Sequence, residues 1–136
     1  MTGTTPSATD PRRILDRLAD DTHLTQEDVA DAEELLTAAD AYAADRSIPM
    51  NDVRRLALAA HSVAFVRRVR DHEYPPELDR HLYDEVGAAQ FASVRALLDA
   101  YCADRDHTVT DAEVLLLTLH FEAALHENAR DHGDSA

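Results

Sequence analysis

The sequence predicts an all-α protein, folded as a single compact bundle of about five helices. Only three glycines and five prolines occur among 136 residues, so turn-forming residues are scarce. Alanine, leucine and arginine, which favour helix, are common, whereas the β-branched and aromatic residues typical of strands are sparse. Apolar residues make up 45% of a chain of single-domain length, enough to fill one core.

Two terminal tails are expected to flank the helical domain. Residues 1–9 are small and polar and are predicted to be disordered, and residues 131–136 are predicted to fray. The helical domain should therefore span residues 10–130. Its first helix should begin at Asp10-Pro11, an acidic cap followed by proline, and end near Asp20 or Asp21.

The next two helices have clear boundaries. One should begin at Thr25, with acidic residues in its first turn, and end at Ile48-Pro49. The other should be capped by Asn51 and run to about Asp71. The residues expected on the core-facing side of this helix are Val53, Leu56, Ala57, Ala60 and Ala64, extended by Phe65, Val66 and Val69.

Tyr74-Pro75-Pro76 is the clearest break in the chain. A short helix is predicted over Glu77–Tyr83, and a long one from about Gly87 into the polar stretch 103–107. Thr110 and Glu113 form a capping box for the last helix, which is apolar nearly all round from 114 to 125. Such a helix is typical of the centre of a bundle.

The charge and cysteine content narrow the function classes. A formal net charge of −14 argues against nucleic acid and anionic membranes as partners and fits basic patches on other proteins, although solubility alone also explains it. All 13 basic side chains are arginine, which excludes lysine chemistry. Cys102 is the only cysteine, and neither a membrane-spanning run nor a signal peptide is apparent, so we expect a cytoplasmic protein.

Eight histidines raise the question of a metal site. No glutamate precedes a histidine at di-iron spacing, and no His-Glu-x-x-His motif, phosphate-binding glycine loop or Gly-x-Ser-x-Gly elbow occurs. We therefore predict no metal, no cofactor, no catalytic residue and no enzymatic activity, while a metal site assembled across helices stays open. Six histidines lie among polar neighbours and are interpreted as surface residues: His23, His72, His81, His107, His126 and His132.

His61 and His120 differ from the others because each interrupts an apolar helical segment. An unpaired imidazole is costly to bury, so each needs a partner or a role. Arg54 and Arg68 lie two helical turns before and after His61, where their side chains could support an anion on its ring. Taken alone, these residues favour the simpler interpretation of packed histidines with a hydrogen-bond partner.

Two segments resemble the signatures of PTS regulation domains (PRDs). EVLLLTLHFEAA, from Glu113, resembles the closing signature of the family, and AHSVAFVRR, from Ala60, resembles the first. The separation of 59 positions from His61 to His120 also suits the family. The chain departs from the family pattern before and after His61, at Ala60 and in DHEYPPEL (71–78), more than around His120.

This resemblance implies a stand-alone regulatory module with a PRD-like fold. His61 and His120 would be phosphoacceptors, supported by Arg54 and Arg68, with HPr or an enzyme II component as the phosphodonor. The modification would modulate a protein partner or homodimerisation. The alternative is a structural or scaffolding protein with a degenerate PRD fold whose histidines are only packed.

Overall fold

The computed structural model describes residues 13–15 and 24–134, and the side chains of these up to residue 127. Within these ranges the chain forms helices and no strand, which confirms the predicted all-α bundle. After a helical segment at 13–15, the helices are α1 (Gln26–Asp45), α2 (Asp52–Asp71), α3 (Arg80–Tyr83), α4 (Ala88–Cys102) and α5 (Asp111–Asp134).

Side-chain caps begin three of these helices where the sequence predicts them. Thr25 and Asp28 cap α1 reciprocally, at 3.0 and 3.2 Å. Asn51 Oδ1 accepts from the Arg54 amide at 2.8 Å and begins α2. Glu113 Oε1 accepts from the Thr110 amide at 2.8 Å, as the capping box of α5 requires. These bonds satisfy amides that have no partner within the helix.

Other boundaries differ from the prediction or cannot be compared with it. The short helix covers only Arg80–Tyr83, because the residues before it follow two prolines in an extended path. Helix α5 continues to Asp134, beyond the domain boundary predicted at residue 130. The predicted tail at 1–9 and most of the predicted first helix lie outside the described residues.

The core lies where α5 packs against α2 and α4, with α1 covering α2 and touching α4. Helix α5 is the central element, as its apolar pattern predicts. Its fully enclosed side chains are Glu113, Val114, Leu115, Leu117, Thr118 and Phe121. Thr118 is tolerated there because its hydroxyl donates to the Val114 carbonyl at 2.7 Å.

The prediction for the buried face of α2 was right for Phe65, Val66 and Val69 and wrong for the residues before them. Val53 is 66% exposed and Leu56 37%, and Ala60 and Ala64 also face solvent. The buried residues are Leu58, Ala59, Ser62, Val63, Phe65, Val66 and Val69. Small and apolar side chains occur all round this helix, so their spacing does not select one face. Packing against α1 and α5 selects it instead.

In the described part of the chain, none of the helices has the length and apolar character needed to cross a lipid bilayer.

Candidate functional site

The packing of α2 against α5 brings His61 and His120 into contact. Their ring centroids are 4.9 Å apart, and the ring planes are inclined at 56°. His61 lies at the border between the buried face of α2 and its exposed apolar side. The structure therefore confirms that two imidazoles separated by 59 residues share one place in the bundle.

His61 is the more enclosed of the two rings. Its Nε2 is sealed from solvent and has no hydrogen-bond partner among the described residues. Burial, with smaller effects from His120 and Arg68, lowers the pKa of His61 to about 3. The ring is therefore neutral at physiological pH, and one of its nitrogens keeps a lone pair.

His120 is only half-buried. Burial also lowers its pKa, and Arg54 adds to this effect. Both rings are therefore held in the neutral form, which is the nucleophilic form of imidazole. Both residues are partly exposed, and they differ in that, among the described residues, only His61 has a ring nitrogen sealed from solvent without a partner.

The two arginines divide between the two histidines. Arg68 lowers the pKa of His61, whereas Arg54 lowers the pKa of His120. The sequence had led us to expect Arg54 beside His61. Arg54 is also engaged by Glu127 on α5, with 2.9 Å between Nε and Oε2. The sequence placed both arginines on one line along α2, but it could not show that α5 supplies the carboxylate that holds one of them.

Arg68 carries unused hydrogen-bond donors. Its Nε and Nη2 are buried and, within the described ranges, have no partner. Buried donors without a partner are rare in native proteins, and a bound water or ion is a common explanation. Together with the neutral rings, these donors form a site that could accept a small anion.

A second buried histidine was missed by the sequence. His107, which we interpreted as a surface residue, has a completely enclosed side chain. Its Nε2 lies 2.8 Å from Oε2 of Glu113, which is also fully buried. The other oxygen of this carboxylate, Oε1, accepts from the Thr110 amide at 2.8 Å, so Glu113 joins the helix cap to His107.

Aromatic rings enclose His107 from two sides. Tyr74 stacks on it with 4.6 Å between centroids, and Phe65 of α2 meets it edge-on at 5.8 Å. The pair with Glu113 holds the 103–110 connection against the start of α5. The capping box was the one feature of the sequence that could have indicated the burial of His107. A glutamate that caps a helix with one carboxylate oxygen leaves its other oxygen for a nearby hydrogen-bond donor.

The remaining candidates agree with a site built only around His61 and His120. His72, His81 and His126 are exposed as predicted, while His23 and the side chain of His132 lie outside the described residues. Cys102 is buried with its pKa raised to about 11 by burial, so its thiol is not a nucleophile. Across the part of the chain that is described, no three His, Cys, Asp or Glu side chains gather as metal ligands would.

One groove beside α5 includes neither imidazole. It measures about 670 Å³ and is lined by Glu85, Leu119, Glu122, Ala123, Leu125 and His126. The histidine pair is a contact between α2 and α5 that lies outside this groove. This arrangement suits a small group attached to a ring better than a separate organic ligand.

No protein-family model matches the chain, and neither a curated protein nor a solved structure gives a significant match. The likeness to PRDs therefore rests on the two signature segments alone.

Proposed function

We propose that this protein is a stand-alone PRD-like regulatory module whose His61–His120 pair accepts a phosphoryl group from a phosphohistidine protein, HPr or an enzyme II component. The observation that carries the proposal is the contact between two neutral imidazoles beside an arginine with unpaired buried donors. A phosphoryl group would supply the oxygens that Arg68 lacks.

The chemistry needs no cofactor. A lone pair on a neutral ring nitrogen attacks phosphorus, and a new N–P bond forms. The N–P bond in the donor breaks, and its electron pair stays on the donor imidazole. The low pKa of His61 and the lowered pKa of His120 favour this step, because a protonated ring has no free lone pair for the attack.

An exposed apolar strip on the same helix offers a way to transmit the signal. Val53, Leu56, Ala60 and Ala64 face solvent on α2, next to the side that carries His61. A change of about two charges beside this helix alters its packing and hence this strip. We propose that the strip contacts a protein partner or a second copy of the chain. Neither nucleic acid nor a membrane suits a chain with a net charge of −14.

Phosphotransfer is tested with purified protein, HPr, enzyme I and phosphoenolpyruvate, followed by intact mass measurement at neutral pH. We expect a mass increase of one phosphoryl group, lost when His61→Gln and His120→Gln are combined. His126→Gln is the matched control, since this exposed histidine lies on the same helix as His120. No increase with either HPr or an enzyme II donor, or one that survives the double substitution, would contradict the proposal.

A structural or scaffolding role is the second candidate, and the enclosure of His61 Nε2 is the observation that favours it. Here both rings serve packing only, and the acidic surface binds the partner. A partner captured equally well by the wild type and by the double glutamine variant supports this role. A partner lost only when the histidines are replaced excludes it.

A further inference from the structure

We infer that the histidine pair holds one phosphoryl group at a time, and that His120 carries it. This inference rests on the proposed function, and it narrows that function from two acceptors to one site of fixed stoichiometry. It derives from three features of the pair: unequal access, the short distance between the rings, and a limited supply of free donors.

Access distinguishes the two rings. Both residues are half-buried, but Nε2 of His61 is sealed from solvent without a partner, whereas neither ring nitrogen of His120 is sealed in this way among the described residues. In-line transfer requires a donor ring and an acceptor ring to approach the same phosphorus from opposite sides. His120 allows this approach in the folded state, whereas His61 Nε2 requires the helices to separate first.

Charge repulsion limits the pair to one group. The ring centroids are 4.9 Å apart. We place two unit negative charges at twice that distance, in an effective dielectric constant of about 20. Their repulsion lowers the equilibrium constant for adding the second charge roughly tenfold. Each phosphoryl group carries about 1.5 to 2 negative charges, so a second group is disfavoured on the order of a thousandfold.

The supply of arginine hydrogen-bond donors also limits the pair to one phosphoryl group. Arg54 forms an ion pair with Glu127, with 2.9 Å between Nε and Oε2, although this Nε makes no hydrogen bond among the described residues. The arginine would have to leave a carboxylate to reach a phosphate. Arg68 has two buried donor nitrogens without a partner in the described structure. Arg68 acts on the pKa of His61, whose ring contacts that of His120, so a group on His120 lies one ring away from this arginine. One guanidinium can hold one phosphoryl group through two hydrogen bonds, but it cannot satisfy two such groups on different rings.

Phosphoryl transfer to His120 breaks one bond and forms one bond, as in the step described above. The N–P bond of the donor phosphohistidine breaks, one N–P bond forms on His120, and the electron pair of the broken bond stays with the donor. His61 keeps its neutral ring throughout, and neither an oxidant nor a metal takes part.

The test is intact mass of wild-type protein driven to saturation with excess HPr, enzyme I and phosphoenolpyruvate. We expect one phosphoryl group per chain and a doubly modified fraction below about one in a hundred. Fragmentation that preserves the N–P bond should locate the group on His120. His61→Gln should keep one group and His120→Gln none, with circular dichroism to show that each variant is folded.

The outcomes separate the two proposals. Two groups per chain would keep the proposed function and overturn the limit of one. A single group located on His61 in the wild type would overturn the assignment to His120. No group from either HPr or an enzyme II donor would reject the proposed function, and this inference with it.

Discussion

Acid should destabilise this protein through one side chain, His61. The perturbation is a change from about pH 7.5 to about pH 5, applied to the wild type and to His61→Gln. Burial lowers the pKa of His61 from 6.5 to about 3. In the unfolded chain the ring takes up a proton below pH 6.5, while in the folded chain it stays neutral. The stability that depends on the neutral ring is therefore complete above the unfolded pKa and falls as the pH drops towards the folded pKa.

The size of the loss follows from the two pKa values. At about pH 5 the unfolded ring is protonated and the folded ring is not, which spans 1.5 pH units. At 1.36 kcal/mol per unit, the free energy of unfolding falls by about 2 kcal/mol. Carboxylates and the other histidines also titrate, but they are present in both proteins. The wild type should therefore lose about 2 kcal/mol more than His61→Gln over the same range.

Urea unfolding followed by far-UV circular dichroism gives the free energy of unfolding of the wild type and of His61→Gln at each of the two pH values. The imidazole proton resonances of His61 give a direct check, because they should not shift over this pH range. His126→Gln should follow the wild type, since its ring is exposed. Parallel pH dependence in the wild type and His61→Gln, or a His61 resonance that titrates near pH 6.5, would refute the idea of a buried neutral ring.

Three further substitutions test the description of the fold by urea unfolding. Glu113→Ala should cost about 2–4 kcal/mol, because it removes a helix cap and the partner of buried His107, and Glu113→Gln should cost less; equal losses would argue against the pairing. His72→Gly should stabilise by about 0.5–1 kcal/mol, since His72 ends α2 with a φ of 56°, and a loss of stability would contradict this. Leu58→Ala should cost about 2–5 kcal/mol and Leu56→Ala under about 1 kcal/mol, because only Leu58 is fully buried; the reverse order would restore the original prediction for this helix.

The helix starts were predictable because they depend on local chemistry. Thr25, Asn51 and Thr110 each place an oxygen beside amides that the helix cannot satisfy, and only a few neighbouring residues decide the outcome. The central position of α5 was predictable for a similar reason, since a helix that is apolar all round has no face suited to solvent.

The orientation of α2 was not predictable from its own sequence. Buried Ser62 shows why, because a polar residue in a sequence favours an exposed position. Its hydroxyl donates to the Leu58 carbonyl at 2.9 Å, so the polar group is satisfied within the helix and can face the core. Val53 and Leu56 mislead in the opposite direction, because their apolar side chains favour burial in a sequence pattern and yet are exposed. Which side is buried depends on the helices that pack against it.

The candidate site was predictable in its residues but not in its arrangement. His61 and His120 attract attention because each interrupts an apolar helix. The sequence did not show that Arg54 belongs to His120 and Glu127, because that pairing joins α2 to the far turns of α5. It also did not show that His107 is buried, because its neighbours in sequence are polar and its partners come from elsewhere in the chain.

The surroundings of His107 indicate a structural role, whereas those of His61 indicate a site for an anion. His107 and His61 each have one sealed nitrogen without a partner. For His107 the other nitrogen is paired with Glu113, which fixes the ring and gives it a structural task. His61 faces a second imidazole and a guanidinium, both of which oppose a positive charge on its ring. Burial, the main cause of the low pKa of His61, disfavours a charge of either sign, whereas the unpaired donors of Arg68 favour an anion, which a phosphoryl group on the neighbouring His120 would supply.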